Sequence, residues 1–270
     1  MKKILLGAIA TVALSSTAFA ADLPARTYTK APAPVVSPVY NWGGFYVGIN
    51  GGGGSAHKCW DVVNNAGTPV NPPFAEGCHN ATGGTVGGQV GYRWQAAQWV
   101  FGLEAQGNWA NFSGSNLNLF TALAGGNSFF NNVSKIDAFG LFTGQIGYAV
   151  NNVLFYAKGG AAVARDKYLL TLTPAGAAIV GLGTVAGQTA ASGSETRWGG
   201  AAGVGIEFGF APNWSVALEY DHLFMGRRDV SQNVVPPFNA PPSIHRIGQD
   251  VDIGTVRVNY TFGGPVVARY

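Results

Sequence analysis

Charged side chains are scarce in this chain: Asp, Glu, Lys and Arg make up 11% of its 270 residues, less than half of the roughly 25% usual in soluble domains. That scarcity excludes an ordinary water-soluble enzyme surface. It also argues against nucleic acid as a partner, because the net charge of +3 comes with no run of Lys and Arg to neutralise phosphates. Long apolar runs are missing as well. Beyond the first twenty residues nothing supplies 18 uninterrupted apolar positions, the nearest stretch, Pro174 to Gly187, being short and rich in Gly, Ala and Thr. Helical membrane spans are thereby ruled out. Cysteine is almost absent, with only Cys59 and Cys78 and no C-x-x-C pair. What is abundant is hydrophobic residues at 47%, aromatics at 12% and 40 glycines, a composition that excludes disorder.

The first twenty residues read as a secretory signal peptide. Lys2 and Lys3 precede an apolar stretch from Ile4 to Leu14 and a small-x-small site at Ala18-Phe19-Ala20. The apolar run is too short for a spanning helix, so export is expected. Residues 21–40 carry Pro24, Pro32, Pro34 and Pro38 and read as an extended linker on the periplasmic side, a segment able to contact the cell wall.

From 41 to 270 the pattern changes to a period of two, the mark of strands with unlike faces. Trp99, Phe101, Leu103, Ala105 and Trp109 alternate with Glu104, Gln106 and Asn108. Trp214, Val216, Leu218 and Tyr220 alternate with Ser215, Glu219 and Asp221, and Val256, Val258, Tyr260 and Phe262 with Arg257, Asn259 and Thr261. Five further segments, near 45–50, 86–95, 136–148, 155–163 and 197–210, complete eight strands. Their connections alternate in length. Residues 95–98, 150–153 and 211–213 are tight turns, whereas about 55–81, 113–134, 166–194 and 227–248 are long. An even strand number with short turns on one rim and long loops on the other is the plan of a transmembrane barrel. The expected fold is therefore all-β, an eight-stranded antiparallel transmembrane β-barrel with short periplasmic turns and long extracellular loops.

The apolar faces carry virtually no charge, so they should look out at lipid. The polar faces then line the lumen with Arg93, Glu104, Lys135, Asp137, Lys158, Arg197, Glu207, Glu219, Asp221 and Arg257, five basic and five acidic. Buried charge persists only when paired, and eight strands leave room for side chains rather than a wide channel. These ten are expected to form an internal salt-bridge network, not a catalytic cluster. Trp94, Trp99, Tyr148, Phe155, Phe210 and Trp214 flank the tight turns and are expected to form an aromatic belt at the membrane interface.

Other features have bland readings. Cys59 and Cys78 fall in one long connection of an exported chain and most simply form a disulfide; His57 and His79 beside them leave open a zinc site, against which the missing C-x-x-C spacing counts. His222 and His245 have no nucleophile identifiable by spacing. The glycine strings 51–54 and 83–88 lack the Lys and following helix of a phosphate loop. No cofactor or metal is expected.

The Ala21-Asp22-Leu23-Pro24 start, the stretch Asn41-Trp42-Gly43-Gly44-Phe45-Tyr46-Val47-Gly48, the strands containing Gly102-Leu103-Glu104 and Leu218-Glu219-Tyr220, and the closing Val256-Arg257-Val258-Asn259-Tyr260-Thr261-Phe262 resemble the small outer-membrane proteins of Rhizobiales and Brucella, the porin-family or outer-membrane immunogenic proteins. The resemblance implies an eight-stranded barrel in the outer membrane, surface exposure, a role in envelope integrity and, in some relatives, binding of haemin or host surfaces. One departure is the tail 263–270, which follows the aromatic Phe262 where such chains usually stop. The expected function is that of a structural barrel with at most small-solute permeability, embedded among outer-membrane lipids and lipopolysaccharide. A loop-borne receptor or adhesin, and a membrane-embedded lipid hydrolase or protease, are the rival readings.

Overall fold

The computed structural model describes residues 40–122, 128–180 and 183–262. The expected signal peptide, the linker up to residue 39 and the tail from 263 lie outside these. Eight strands follow in chain order: β1 (Gly44–Asn65), β2 (Thr68–Ala96), β3 (Trp99–Leu117), β4 (Phe130–Val150), β5 (Val153–Leu172), β6 (Thr189–Ala211), β7 (Trp214–Val234) and β8 (Ser243–Phe262). Each pairs antiparallel with its neighbour, and β1 pairs with β8 to close the barrel. Two short helices, α1 (Leu119–Ala122) and α2 (Pro174–Val180), sit in connections. No helix among the described residues is long and apolar enough to cross a membrane.

At one rim the strands are joined by two-residue turns in which Ala97, Asn151 and Asn213 take positive φ, 54°, 54° and 68°. That handedness lets a tight hairpin follow the twist of its strands. At the other rim the strands run much further than the alternation suggests. The segment expected as a first long loop, 55–81, is instead a paired hairpin closed by Ala66 and Gly67, both at positive φ. In a closed sheet each strand has a neighbour on both sides to pair with, so the ladder can continue as long as the inner face has side chains to bury. The prolines at 69, 72 and 73 are absorbed where the register breaks between Val62 and Asn64.

Three irregularities switch which residues point inwards. β4 shifts register between Ile136 and Ala138, so its buried positions change from Phe139, Leu141 and Thr143 to Ile136, Ser134 and Asn132. β7 shifts at Gly226 (φ 68°). β2 shifts at Gly77 (φ 111°) and thereby turns Glu76 inwards. A single extra residue flips every side chain beyond it.

The lumen is filled in layers from the turn side upwards. Trp42, Val100, Ala149, Leu154 and Tyr156 close the mouth, with Trp42 N–H donating to Gln95 Oε1 at 2.8 Å. A charged layer follows. Above it lies an apolar layer that the polar-face pattern does not foresee, containing Phe112, Ile136, Phe139, Leu141, Leu223, Met225, Val251 and Ile253. Higher still, Trp60, Tyr168, Val230 and Ile247 pack together. The outer wall is the reverse, with exposed Ile49, Leu103, Phe142, Val204, Leu218 and Val256.

Candidate functional site

The charged layer brings seven of the ten expected residues together: Arg93, Glu104, Lys158, Glu207, Glu219, Asp221 and Arg257, all buried. Each comes from an inward-facing position of β2, β3, β5, β6, β7 or β8. Arg93 meets Glu207 at 2.7 Å. Lys158 lies 2.7 Å from Glu219, 3.1 Å from Asp221 and 3.6 Å from Glu104, while Arg257 donates one hydrogen bond to Glu219 and another to Glu104. Three cations thus face four carboxylates, and neutral donors complete the shell. Tyr46 Oη donates to Glu104 at 2.6 Å and Tyr156 Oη to Glu219 at 2.7 Å; Asn259 and Ser215 donate to Glu207. Arg93 also lies over the Tyr46 ring, 4.4 Å from its centre. What such an arrangement does chemically is neutralise itself. Buried ion pairs hold six strands in one register and give every carboxylate of the layer a cation within 4 Å, Lys158 being shared by Glu104, Glu219 and Asp221.

The other three expected members are elsewhere. Lys135 and Asp137, expected in the lumen, face outwards instead, because the β4 register shift between Ile136 and Ala138 turns them out. Lys135 is exposed, and Asp137 pairs with Lys167 at 2.6 Å on the outer surface. Arg197 does point inwards and is fully buried, but it belongs to a second, higher layer, where it meets Glu195 at 2.5 Å and donates to the Gly226 carbonyl at 3.3 Å. That layer also holds Lys58 and Asp166, 2.5 Å apart, with Gln249 accepting from Lys58 at 2.8 Å. Above it His245 meets Glu76 at 2.8 Å. Lys58 and Asp166 were missed because they lie in segments read as loops. The usable signal was parity: Lys58 continues Tyr46 and Asn50, and Asp166 continues Tyr156 and Lys158.

On the outer wall Trp94, Trp99, Tyr148, Phe155, Phe210 and Trp214 are all exposed and ring the turn side. Trp99 and Tyr148 pack edge to face, 5.3 Å between centres. Trp109 and Trp198 are exposed towards the opposite rim, so apolar wall runs between two aromatic levels. Above it, Cys59 and Cys78 occupy directly opposed positions of β1 and β2 and are joined in a disulfide. Both thiolates that a zinc site would need are consumed by that bond. His57 sits beside it with Nε2 3.4 Å from Cys59 Sγ and Nδ1 2.8 Å from Asn80. His79 points the other way, inwards, its Nδ1 2.7 Å from Asn116 Oδ1, and burial holds its pKa below the ordinary histidine value.

An even, closed ring of antiparallel strands, apolar outside between aromatic levels and charged inside, with tight turns at one rim and long hairpins at the other, is an outer-membrane β-barrel. Residues 6–262 match the outer membrane protein beta-barrel domain family, and the chain belongs to that family. It is 28% identical to the 31 kDa outer-membrane immunogenic proteins of Brucella melitensis biotype 1 and Brucella suis biovar 1, over 97% of this chain and 100% of each relative. Among solved structures, the outer membrane protein OprG from Pseudomonas aeruginosa is similar with a TM-score of 0.44 and 11% identity, covering 84% of this chain and 100% of that one. The protein resides in the outer membrane.

Proposed function

We propose that this protein is a structural barrel that contributes to envelope integrity and has a closed lumen. One observation carries the reading: the inner face is occupied at every level, with Leu154, Arg257, Leu141, Lys58 and Trp60 all at most 1% exposed. An apolar layer between two charged ones opposes ion passage twice, since an ion must shed water at the first and displace ion pairs at the others. The test is planar-bilayer conductance of purified, folded protein. Absence of stable steps is expected; reproducible large steps would overturn the closed lumen. The reading is non-enzymatic: within the charged layer each carboxylate already faces a cation, so no acid or base is free to act on a substrate.

A second reading, a surface receptor or adhesin, draws on the hairpins. They stand above the lipid and carry exposed Leu117, Leu119, Ile179 and Val185, and exposed apolar side chains there suit contact with a partner. The Brucella relatives are named as immunogenic, which fits accessible hairpins. Binding to host surfaces or haemin that survives shortening of all four hairpins would remove this reading. The aromatic level at the tight turns suits anchoring in the inner leaflet, and the Pro-rich composition of 21–40 supports reading it as a linker that contacts the cell wall.

A further inference from the structure

The outer wall is not the same all round. Just above the level set by Trp109 and Trp198, β4 and β5 present Lys135, Arg165 and Lys167, all exposed and all directed outwards. Lys135 lies directly opposite Lys167, and Arg165 lies opposite Ala138 two positions lower. Like charges at facing positions destabilise a sheet. Only Asp137 offsets them, at 2.6 Å from Lys167; among the described residues Lys135 and Arg165 have no hydrogen-bonding or ionic partner. Three cations against one carboxylate leave this facet needing an anion from outside.

What lies below the cations narrows the anion. Down the same strand pair the outward positions mix small and large: Ala138, Gly140, Ala161, Gly144 and Gly159 are small, while Val163 stands opposite Gly140 and Phe142 opposite Ala161. A side chain added at Gly159 would meet only the Ala201 carbonyl, at 3.7 Å, so the backbone itself is open to lipid there. Phe142 and Trp198, stacked with centres 6.4 Å apart, stand on either side of β5. Below Phe142 the wall holds a recess of about 570 Å³, with Leu103, Gly144, Ile146 and Gly159 among its walls. A cationic top over an apolar trough fits an amphiphile with an anionic head, not a free anion. The opposite facet is a natural contrast. At its upper edge β7, β8 and β1 present Asp252, bonded to His222 at 2.7 Å, and Asp250, while Arg246 is already held by Asp229 at 2.7 and 3.0 Å. That facet also carries Arg227 and Arg228, both exposed on β7, so its charges are mixed in sign, whereas β4 and β5 set three cations against one carboxylate.

We propose that the outward face of β4 and β5 is a binding site for a phosphorylated glycolipid of the outer leaflet, lipid A. Lys135, Arg165 and Lys167 take its phosphate, and the trough beneath takes an acyl chain. The assignment deepens the envelope-integrity reading, since it ties the wall to the lipid layer around it. It does not depend on the closed lumen.

The test uses the full folded protein in zwitterionic micelles, titrated with bisphosphorylated lipid A, chemically dephosphorylated lipid A, phosphatidylglycerol and inorganic phosphate. Phosphorylated lipid A is expected to bind at least about tenfold tighter than the dephosphorylated form, with a preference that shrinks as salt rises. The K135Q/R165Q/K167Q variant should lose that preference, whereas Arg246→Gln should keep it. Arg165→Gln alone, which disturbs no ion pair, should weaken binding by about threefold or more, so the outcome does not hang on the triple variant folding. Equal affinity in wild type and Arg165→Gln overturns the proposal. So does phosphatidylglycerol binding as tightly as lipid A, which would mean generic anionic attraction, or inorganic phosphate displacing lipid A at equal concentration, which would mean a free-anion site. Pore conductance from the same preparations, with lipid preference intact, would defeat the closed lumen and leave this site standing.

Discussion

Lys58 and Asp166 are 108 positions apart in sequence and 2.5 Å apart at the centre of the barrel, with both side chains fully shielded from solvent. They join β1 to β5 across the lumen, above the apolar layer. Neither strand is a neighbour of the other in the sheet, so the pair braces the barrel across its diameter.

Removing one member should be far worse than removing both. Lys58→Met leaves Asp166 buried without its cation, and Asp166→Leu leaves the ammonium stranded; each should destabilise the fold by about 3 to 5 kcal/mol. The double variant should recover most of that loss, because two apolar side chains of similar size suit the neighbouring apolar layer. The measurement is the urea midpoint of the folded fraction in micelles, read for all four proteins. Additive losses in the double variant would show that the two groups do not act as a pair.

Where the sequence was readable and where it was not follows from the same geometry. Alternation in Trp99–Trp109 or Val256–Phe262 is strong because lipid on one side and a charged lumen on the other demand opposite chemistry at successive positions. Strand number, closure and the seven-member charge cluster were therefore legible. Above the bilayer the outer face meets water, so polar residues occur on both sides and the alternation fades; 55–65 and 68–81 read as loop although they are paired strand. Lys135 and Asp137 fail for another reason. Parity carries no sign of an added residue, and one shift between Ile136 and Ala138 reverses everything above it. The apolar layer of Phe112, Leu141 and Leu223 was hidden because an inward-facing apolar residue and an outward-facing one look alike without the register.

His79 should make the upper hairpins sensitive to acid. Burial pushes its imidazole below the ordinary value, the Asn116 hydrogen bond works the other way, and the positive charges of Lys58 and His57 lower it further. A histidine with a depressed folded value binds its proton more readily in the unfolded chain, so its contribution is present at neutral pH and above. That contribution is lost as pH falls below about 6.5, at no more than about 1.4 kcal/mol per pH unit for one proton. Protease resistance of the β1–β2 hairpin, compared at pH 7.5 and pH 5, should drop in the wild type and change less in His79→Gln. Equal acid sensitivity in the two proteins would assign the effect to other groups.

The disulfide supplies a test of orientation. Cys59 and Cys78 face outwards at opposed positions of β1 and β2, well beyond the Trp109 and Trp198 level and on the side away from the tight turns. In intact cells a membrane-impermeant reductant followed by a membrane-impermeant maleimide should therefore label the protein, with no need to open the envelope. Cys59→Ser with Cys78→Ser should abolish labelling and, for a bridge spanning 19 positions, lower stability by about 3 kcal/mol on the chain-entropy estimate. Lower stability without surface labelling would keep the bridge but turn the barrel over. Labelling only after lysis would place the hairpins in the periplasm, and the lipid A site on β4 and β5 would then face the wrong leaflet.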